Sequence, residues 1–292
     1  MKRNIKNVFC LILSLFLSTE LFTLSAKAEG EIKSDKGIIV EAKSALLMEP
    51  ASGKVIYEKN SHEKFAPASV TKIMTMLLAM EAIDSNKIKL QDTITISENS
   101  KKMGGSSMIL DTGEVRTVEE ILKGIAIASG NDAAVAMAEY LGGSESAFVD
   151  MMNEKAKSME LKDTHFCTPS GLEIDGQQNE CYSSAYDIGR IASYSLKYSL
   201  IWDIMKIPDG KFYSADGKYM HELKNTDLLL DSIPNCLGGK TGFTPLAGYS
   251  LLLASSDATK KHKIVAVVLD DPYRWQDIRT MTNWTFQSYD WR

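Results

Sequence analysis

Three short segments carry residue types that can do chemistry together. Ser69-Val70-Thr71-Lys72 sets a hydroxyl and an amine three positions apart. On a helix such positions share a face, so Ser Oγ and Lys Nζ can meet. A serine hydroxyl is a weak nucleophile that needs an adjacent base. A lysine serves once burial or a neighbouring cation lowers its pKa, and a helix start adds free N–H groups suited to an oxyanion. Ser129-Gly130-Asn131 contributes a second hydroxyl, able to relay a proton to a leaving amine, and an amide able to hold a substrate carbonyl and a lysine together. Lys240-Thr241-Gly242, after Gly238-Gly239, puts a cation and a hydroxyl where glycines allow close approach of a ligand, a setting fit for a substrate carboxylate. Each segment alone has a plainer reading: a helix cap with a solvated lysine, a helix-to-helix turn, an exposed edge strand.

The elements that must position these groups are readable from periodicity. Ala45–Met48 and Lys54–Tyr57 are short apolar-rich runs around Glu49-Pro50-Ala51-Ser52-Gly53 and read as a β-hairpin. From Ser69, just after Pro67, Ile73, Met76, Leu77 and Met80 recur at helical spacing, with Met74 and Leu78 widening the stripe, so a central helix buried on most sides is expected. Thr117-Val118-Glu119-Glu120 is a capping-box start; residues 117–141 read as two helices broken at Ser129-Gly130-Asn131-Asp132. Ala147–Met159 and Ala185–Leu200 read as further helices around a Thr168-Pro169-Ser170-Gly171 turn. Leu237–Phe243, Tyr249–Ser255 and Lys263–Leu269 read as strands, the last two an antiparallel hairpin. The fold class expected is α/β (α+β): an antiparallel sheet of about five strands from both chain ends, packed with a largely helical middle.

Composition narrows the function classes. The 292 residues are 44% hydrophobic and 24% charged, ordinary for a globular protein. A net charge of −5 and a pI near 5.5 argue against a broad nucleic-acid surface, and no 20-residue apolar run suggests a multi-span membrane protein. The first 28 residues have a basic start (Lys2, Arg3, Lys6), an apolar run Val8–Leu17 and Ala26-Lys27-Ala28, the three parts of a secretory signal peptide. Cleavage would leave residues 29–292 as one domain with 29 basic and 37 acidic residues, net −8. Of the cysteines that remain, Cys167 and Cys181 are close enough in sequence to pair, or all three, with Cys236, stay as thiols. The spacing of Cys and His matches no zinc site, so no metal is implied.

In combination and order, the three segments form the motif set of penicillin-binding proteins and class A β-lactamases. The chain resembles the D-alanyl-D-alanine carboxypeptidases, low-molecular-mass penicillin-binding proteins, through Phe65–Thr75, Gly105–Met108, Ile127–Ala134 and Gly239–Thr244, over roughly residues 38–288. The resemblance implies a β-lactamase/transpeptidase-like fold and a reaction without cofactors. Ser69 would be acylated by peptidoglycan stem peptides ending in D-Ala-D-Ala, with Lys72 as general base. Ser129 and Asn131 would be proton relay and substrate-amide holder, and Lys240, Thr241 and Gly242 would face the substrate carboxylate. The N–H groups of Ser69 and Phe243 would make the oxyanion hole. Arg274, ten residues before Trp284, stands at the spacing of the family's carboxylate-binding arginine, with Arg279 as the second candidate. β-Lactams would inhibit by acylating Ser69. An exported, monomeric protein is expected, soluble without detergent because no apolar segment follows Trp291-Arg292.

The sequence departs from the family pattern at Ser170, where histidine is common, and at Cys236, where no thiol is expected. Two other functions use related residues. A class A β-lactamase needs a glutamate in an E-x-x-L-N loop, which neither Glu160 nor Glu173 supplies. A penicillin sensor needs a membrane signalling segment. Endopeptidase side activity would use the same residues.

Overall fold

The computed structural model describes residues 31–32, 37–173 and 180–291; the expected signal peptide, residues 1–28, lies outside them. Five antiparallel strands make one sheet. β1 (Ser44–Glu49) and β2 (Lys54–Lys59) form the N-terminal hairpin; β3 (Cys236–Thr244), β4 (Gly248–Ser256) and β5 (Lys263–Leu269) come from the C-terminal part. The order is β2-β1-β5-β4-β3, so β5 pairs with β1 and joins the two ends of the chain, while β3 lies at an edge.

Alternation along each strand explains why these segments read as unbroken apolar runs. Leu46, Met48, Leu252, Ala254, Val265 and Val267 belong to one buried cluster, and Ala45, Leu47, Leu251, Leu253, Ala266 and Val268 to another. Both faces of the sheet are therefore covered, which removes the need for polar residues at alternate positions. The helices α1 (Lys72–Asp84), α2 (Val118–Ala126), α3 (Asn131–Gly142), α4 (Glu145–Ser158), α5 (Ala185–Ser195) and α6 (Ser199–Met205) supply the first cluster. The C-terminal helix α7 (Arg274–Ser288) covers the other face with Ile278 and Met281. Its Asp277 also accepts the amides of Glu41 (2.5 Å) and Ala42 (3.1 Å), tying the N-terminal segment to that helix. Among the described residues no helix is long and apolar enough to cross a membrane.

Local chemistry sets the boundaries. The Thr117/Glu120 capping box starts α2 as its sequence predicts, and Ser144 caps α4 by accepting the Ala147 amide. α1 is buried from Lys72 to Met80, as its apolar breadth implies. Two expectations change. Ala185–Leu200 is not one helix. It ends at Ser195, whose hydroxyl donates to Ala192 O and accepts the Trp202 indole N–H, and a new helix begins at Ser199. The α-helical bonding of α1 starts at Lys72 and not at Ser69: residues Ala68–Thr71 form a 3₁₀ turn. Ala68 precedes the turn's serine with φ +45°, a sparsely populated conformation for a residue with a Cβ. Cys167 and Cys181 are bonded, with Cα atoms 5.5 Å apart, and Cys236 is a buried thiol.

Candidate active site

Lys72 is fully buried at the first position of α1. Its Nζ lies 2.8 Å from Ser69 Oγ, 2.7 Å from Asn131 Oδ1 and 2.8 Å from Ser170 O. Burial, reinforced by the nearby Lys240 cation and opposed by Asp132, holds Lys72 well below the usual lysine value. A neutral amine has two N–H groups and one lone pair. The two carbonyl-type oxygens can only accept, so they take both N–H groups. The lone pair is then left for the Ser69 hydroxyl. The geometry thus orients Lys72 as an acceptor of the serine proton, within the distance that proton transfer needs.

Ser129 sits in the break between α2 and α3 with φ +59°, a strained conformation for a residue with a side chain. Its hydroxyl accepts a hydrogen bond from Lys240 Nζ at 2.8 Å, and Lys240 also donates to Thr241 O at 3.0 Å. Burial pushes Lys240 down to about 7, with Asp227 opposing and Arg274 adding to the fall. Asn131 opens α3, its backbone N–H donating to Ser106 O (2.7 Å); its Nδ2 donates to Gly104 O (2.7 Å) while Oδ1 accepts from Lys72, so both ends of the carboxamide are fixed.

β3 passes directly beside the serine turn. A Cβ on Gly242 would lie 3.3 Å from Pro67 O and 3.4 Å from Ser69 N. That closeness brings the Thr241-Gly242-Phe243 backbone beside the turn that carries the nucleophile. Phe243 is half exposed and stacks on Tyr249 at 4.4 Å. Arg274, at the start of α7, donates from Nη1 to Gly242 O (2.8 Å) and Ser250 O (3.2 Å), with its guanidinium over Tyr249 and Trp275. Its hydrogen bonds run to the backbone of β3 and β4 and not to the neighbouring aspartates. Arg279 is exposed and donates to Ser232, away from this cluster. The structure therefore links Ser69, Lys72 and Asn131, Ser129 and Lys240, and Arg274 and Gly242 by hydrogen bonds, with Gly242 packed against the Ser69 turn between Thr241 and Phe243.

Several participants have no signature in the motifs. Ser170 contributes through its backbone carbonyl; its hydroxyl accepts the Leu172 amide at 3.2 Å. A histidine at that position is therefore not required for the contact with Lys72. The Thr168–Leu172 loop is held by Thr168 Oγ1, which accepts the Gly171 amide and donates to Leu172 O, and by Thr75, which donates to Pro169 O at 2.6 Å. Gly171 has φ +76°, and its Cα faces the nucleophile turn so closely that a Cβ would fall 1.8 Å from Ala68 O. Asp132 is a buried carboxylate that accepts from Ser107 Oγ, Met108 N and Leu110 N, fastening the Gly105–Met108 loop beside Asn131. Its place directly after Ser-Gly-Asn was the available signal. Cys236 lies at the start of β3, buried, with its thiol pushed up to about 11, and takes no part in these contacts.

A profile of the D-alanyl-D-alanine carboxypeptidases, peptidase family S11, matches residues 30–273. The chain is 43% identical over 288 residues to D-alanyl-D-alanine carboxypeptidase DacF of Bacillus subtilis, covering 96% of this chain and 70% of that one. Among solved structures it is similar to penicillin binding protein 6B from Escherichia coli, with TM-score 0.78 and 31% identity over 89% of this chain and 82% of that one. It is also similar to penicillin binding protein 5 from Haemophilus influenzae, with TM-score 0.79 and 30% identity over 87% and 73%.

Proposed function

The chain belongs to the D-alanyl-D-alanine carboxypeptidase family of penicillin-binding proteins, serine hydrolases, and from that premise we propose that it removes the terminal D-alanine of peptidoglycan stem pentapeptides through an acyl-enzyme on Ser69. The observation that carries this reading is the buried Lys72 Nζ, 2.8 Å from Ser69 Oγ and donating to Asn131 Oδ1 and Ser170 O.

Lys72 takes the hydroxyl proton as Ser69 Oγ attacks the carbonyl of the penultimate D-alanine. The oxyanion is received by the amides of Ser69 and Phe243. The C–N bond breaks as the Ser129 hydroxyl, polarised by Lys240, gives its proton to the leaving amine and is replenished by the proton that Lys72 took from Ser69, which returns Lys72 to its neutral form. Thr241, Lys240 and Arg274 hold the free C-terminal carboxylate, and Asn131 holds the peptide amide. Water then attacks the acyl carbon while Lys72 takes one of its protons; the C–O bond to Ser69 breaks, Lys72 returns that proton to Ser69 Oγ, and the shortened peptide leaves with a new carboxylate. β-Lactams acylate the same serine; the structural relatives named penicillin-binding proteins support this. Glu173, one of the two glutamates weighed above as a β-lactamase-type water base, has its carboxylate engaged by the Thr244 hydroxyl.

Residues 29–292 act as one domain on the outer side of the cytoplasmic membrane, a placement supported by the charge and apolar pattern of residues 1–28. Incubation of purified protein with a muropeptide pentapeptide, read by mass spectrometry, should show loss of one D-alanine. Ser69→Ala should abolish that loss together with covalent labelling by fluorescent penicillin. Labelling of the variant at the wild-type level would place the nucleophile elsewhere.

A further inference from the structure

Lys240 and Gly242 stand on the face of β3 that turns toward the serine turn: Lys240 reaches Ser129, and a Cβ on Gly242 would meet Pro67 O and Ser69 N. Side chains alternate along a strand, so Thr244 is the next residue on that face. Thr244 is buried, and its hydroxyl donates to Glu173 Oε1 while accepting the Ala247 amide at 3.0 Å. The Glu173 carboxylate is therefore held on the nucleophile's side of the sheet, past Phe243 and away from Lys240.

The loop that carries Glu173 is fixed by other contacts as well. Gly171 packs on Ala68, directly before Ser69, and a Cβ on Gly105 would come 4.0 Å from Leu172 Cδ1 and 2.9 Å from Asn131 Nδ2. Leu172 thus leans on the wall that holds Asn131, Glu173 leans on β3, and the loop spans the two at one end of the site. Both side chains are half-buried. Thr244 occupies one oxygen of the Glu173 carboxylate. Among the described residues the other oxygen takes no hydrogen bond, and no lysine, arginine or histidine pairs with the group. A carboxylate already ordered through one oxygen, with the other open and no cation beside it, suits an ammonium group.

The reaction drawn above gives the substrate a direction along this strand edge. Its terminal carboxylate lies at Lys240, Thr241 and Arg274, and its scissile carbonyl at the Phe243 amide. At about 3.3 Å per strand residue and about 3.8 Å per substrate residue, the residue that precedes D-alanyl-D-alanine arrives beside Thr244. We propose that Glu173 is a specificity residue that binds a positively charged side chain there, so that the preferred substrates are stem peptides with a diamino acid, its side-chain amine free, before D-alanyl-D-alanine. The proposal rests on the carboxypeptidase reading and on the substrate direction that reading implies. It gives Glu173 a contact with substrate and no part in bond making.

The test compares kcat/KM for D-alanine release from two pentapeptides that differ in one group. Both carry lysine before D-alanyl-D-alanine, with the ε-amine free in one and acetylated in the other. Wild type, Glu173→Gln and Glu173→Lys are measured, and the ratio of the two values cancels any general loss of activity in a variant. Wild type should favour the free amine by about tenfold, chiefly through KM, as expected for one charge-assisted contact. Glu173→Gln keeps an oxygen for Thr244 but loses the charge, so its ratio should fall to within about twofold of unity. Glu173→Lys should invert the preference. Equal wild-type values for the two peptides, a wild-type ratio in Glu173→Gln, or failure of both variants to melt cooperatively would overturn the assignment, the last by making Glu173 a folding residue. If wild type releases D-alanine from both peptides equally, this assignment alone falls. If wild type releases it from neither, the carboxypeptidase reading falls and takes the assignment with it.

Discussion

Replacement of Gly171 by alanine tests whether the Thr168–Leu172 loop tunes the base. The new Cβ would lie 1.8 Å from Ala68 O and 2.6 Å from Thr71 Oγ1. The first obstacle is backbone, so no side-chain rotation relieves it. Against an ordinary C···O approach of about 3.3 Å, the loop must retreat by roughly 1.5 Å. Ser170 O belongs to the peptide group that joins Ser170 to Gly171, and a retreat of that size takes its 2.8 Å contact with Lys72 out of hydrogen-bond range. Two costs follow: about 1–2 kcal/mol for an alanine at positive φ, and about 1–3 kcal/mol for a buried donor without an acceptor. The melting temperature should fall by ~4 °C or more. The kinetic effect should be larger in proportion. With one N–H released, the amine is free to rotate its lone pair away from Ser69 Oγ, and a displacement near 1 Å at a reacting group costs about 10²-fold in rate. Stopped-flow acylation by fluorescent penicillin measures the rate, and thermal melting verifies the fold. Gly37→Ala, whose new Cβ would meet nothing within 4 Å, is the control and should acylate like wild type. An acylation rate for the Gly171 variant within about threefold of wild type, despite the lowered melting temperature, would show that Ser170 O does not orient Lys72.

Three other perturbations have defined outcomes. Lys72→Ala should slow penicillin acylation by ~10²–10⁴-fold with cooperative melting retained; a near-normal rate would remove Lys72 from the base role. Arg274→Ala should lower kcat/KM for D-alanyl-D-alanine peptides by at least ~10-fold, chiefly through KM, with a smaller loss on ester or amide-capped substrates; equal losses would mean that its bonds to Gly242 O and Ser250 O are its whole function. Replacing Cys167 and Cys181 together by serine opens a loop with a sequence separation of 14 and should cost about 3 kcal/mol in a denaturant titration; an unchanged midpoint would show that the bridge adds no stability.

Side chains that act through their own functional groups were legible in the sequence. Ser69, Lys72, Ser129, Asn131 and Lys240 announce themselves by type and spacing, and the strands by continuous apolar runs. Groups that act through the backbone were not. Ser170 supplies a carbonyl, which every residue possesses, so its identity carries no signal. Gly171 is required by the proximity of Ala68, a contact between segments far apart in the chain that no local pattern encodes. The split of residues 185–205 into α5 and α6 depends on the bond between Trp202 and Ser195, two residues each compatible with a continuing helix. The 3₁₀ start at Ala68 depends likewise on how tightly Gly242 crowds the turn.

Joining the two ends of the chain in one sheet has a temporal consequence. The bonds that make the base and the relay span 59, 98 and 111 positions, and Glu41 reaches Asp277 across 236. A chain leaving the ribosome presents Ser69 early and the strand with Lys240 late, so for most of its synthesis the serine is an ordinary alcohol with no carboxylate-reading wall beside it. Closing such distant pairings is slow compared with local helix formation. The helical middle can form first and wait, and reactivity arrives in one step when β3, β4 and β5 dock on β1. The order of synthesis thus separates the two halves of the site: Ser69, Lys72, Asn131 and Ser170 can meet within the first 170 residues, while the Lys240 that reaches Ser129 arrives only with the late strands.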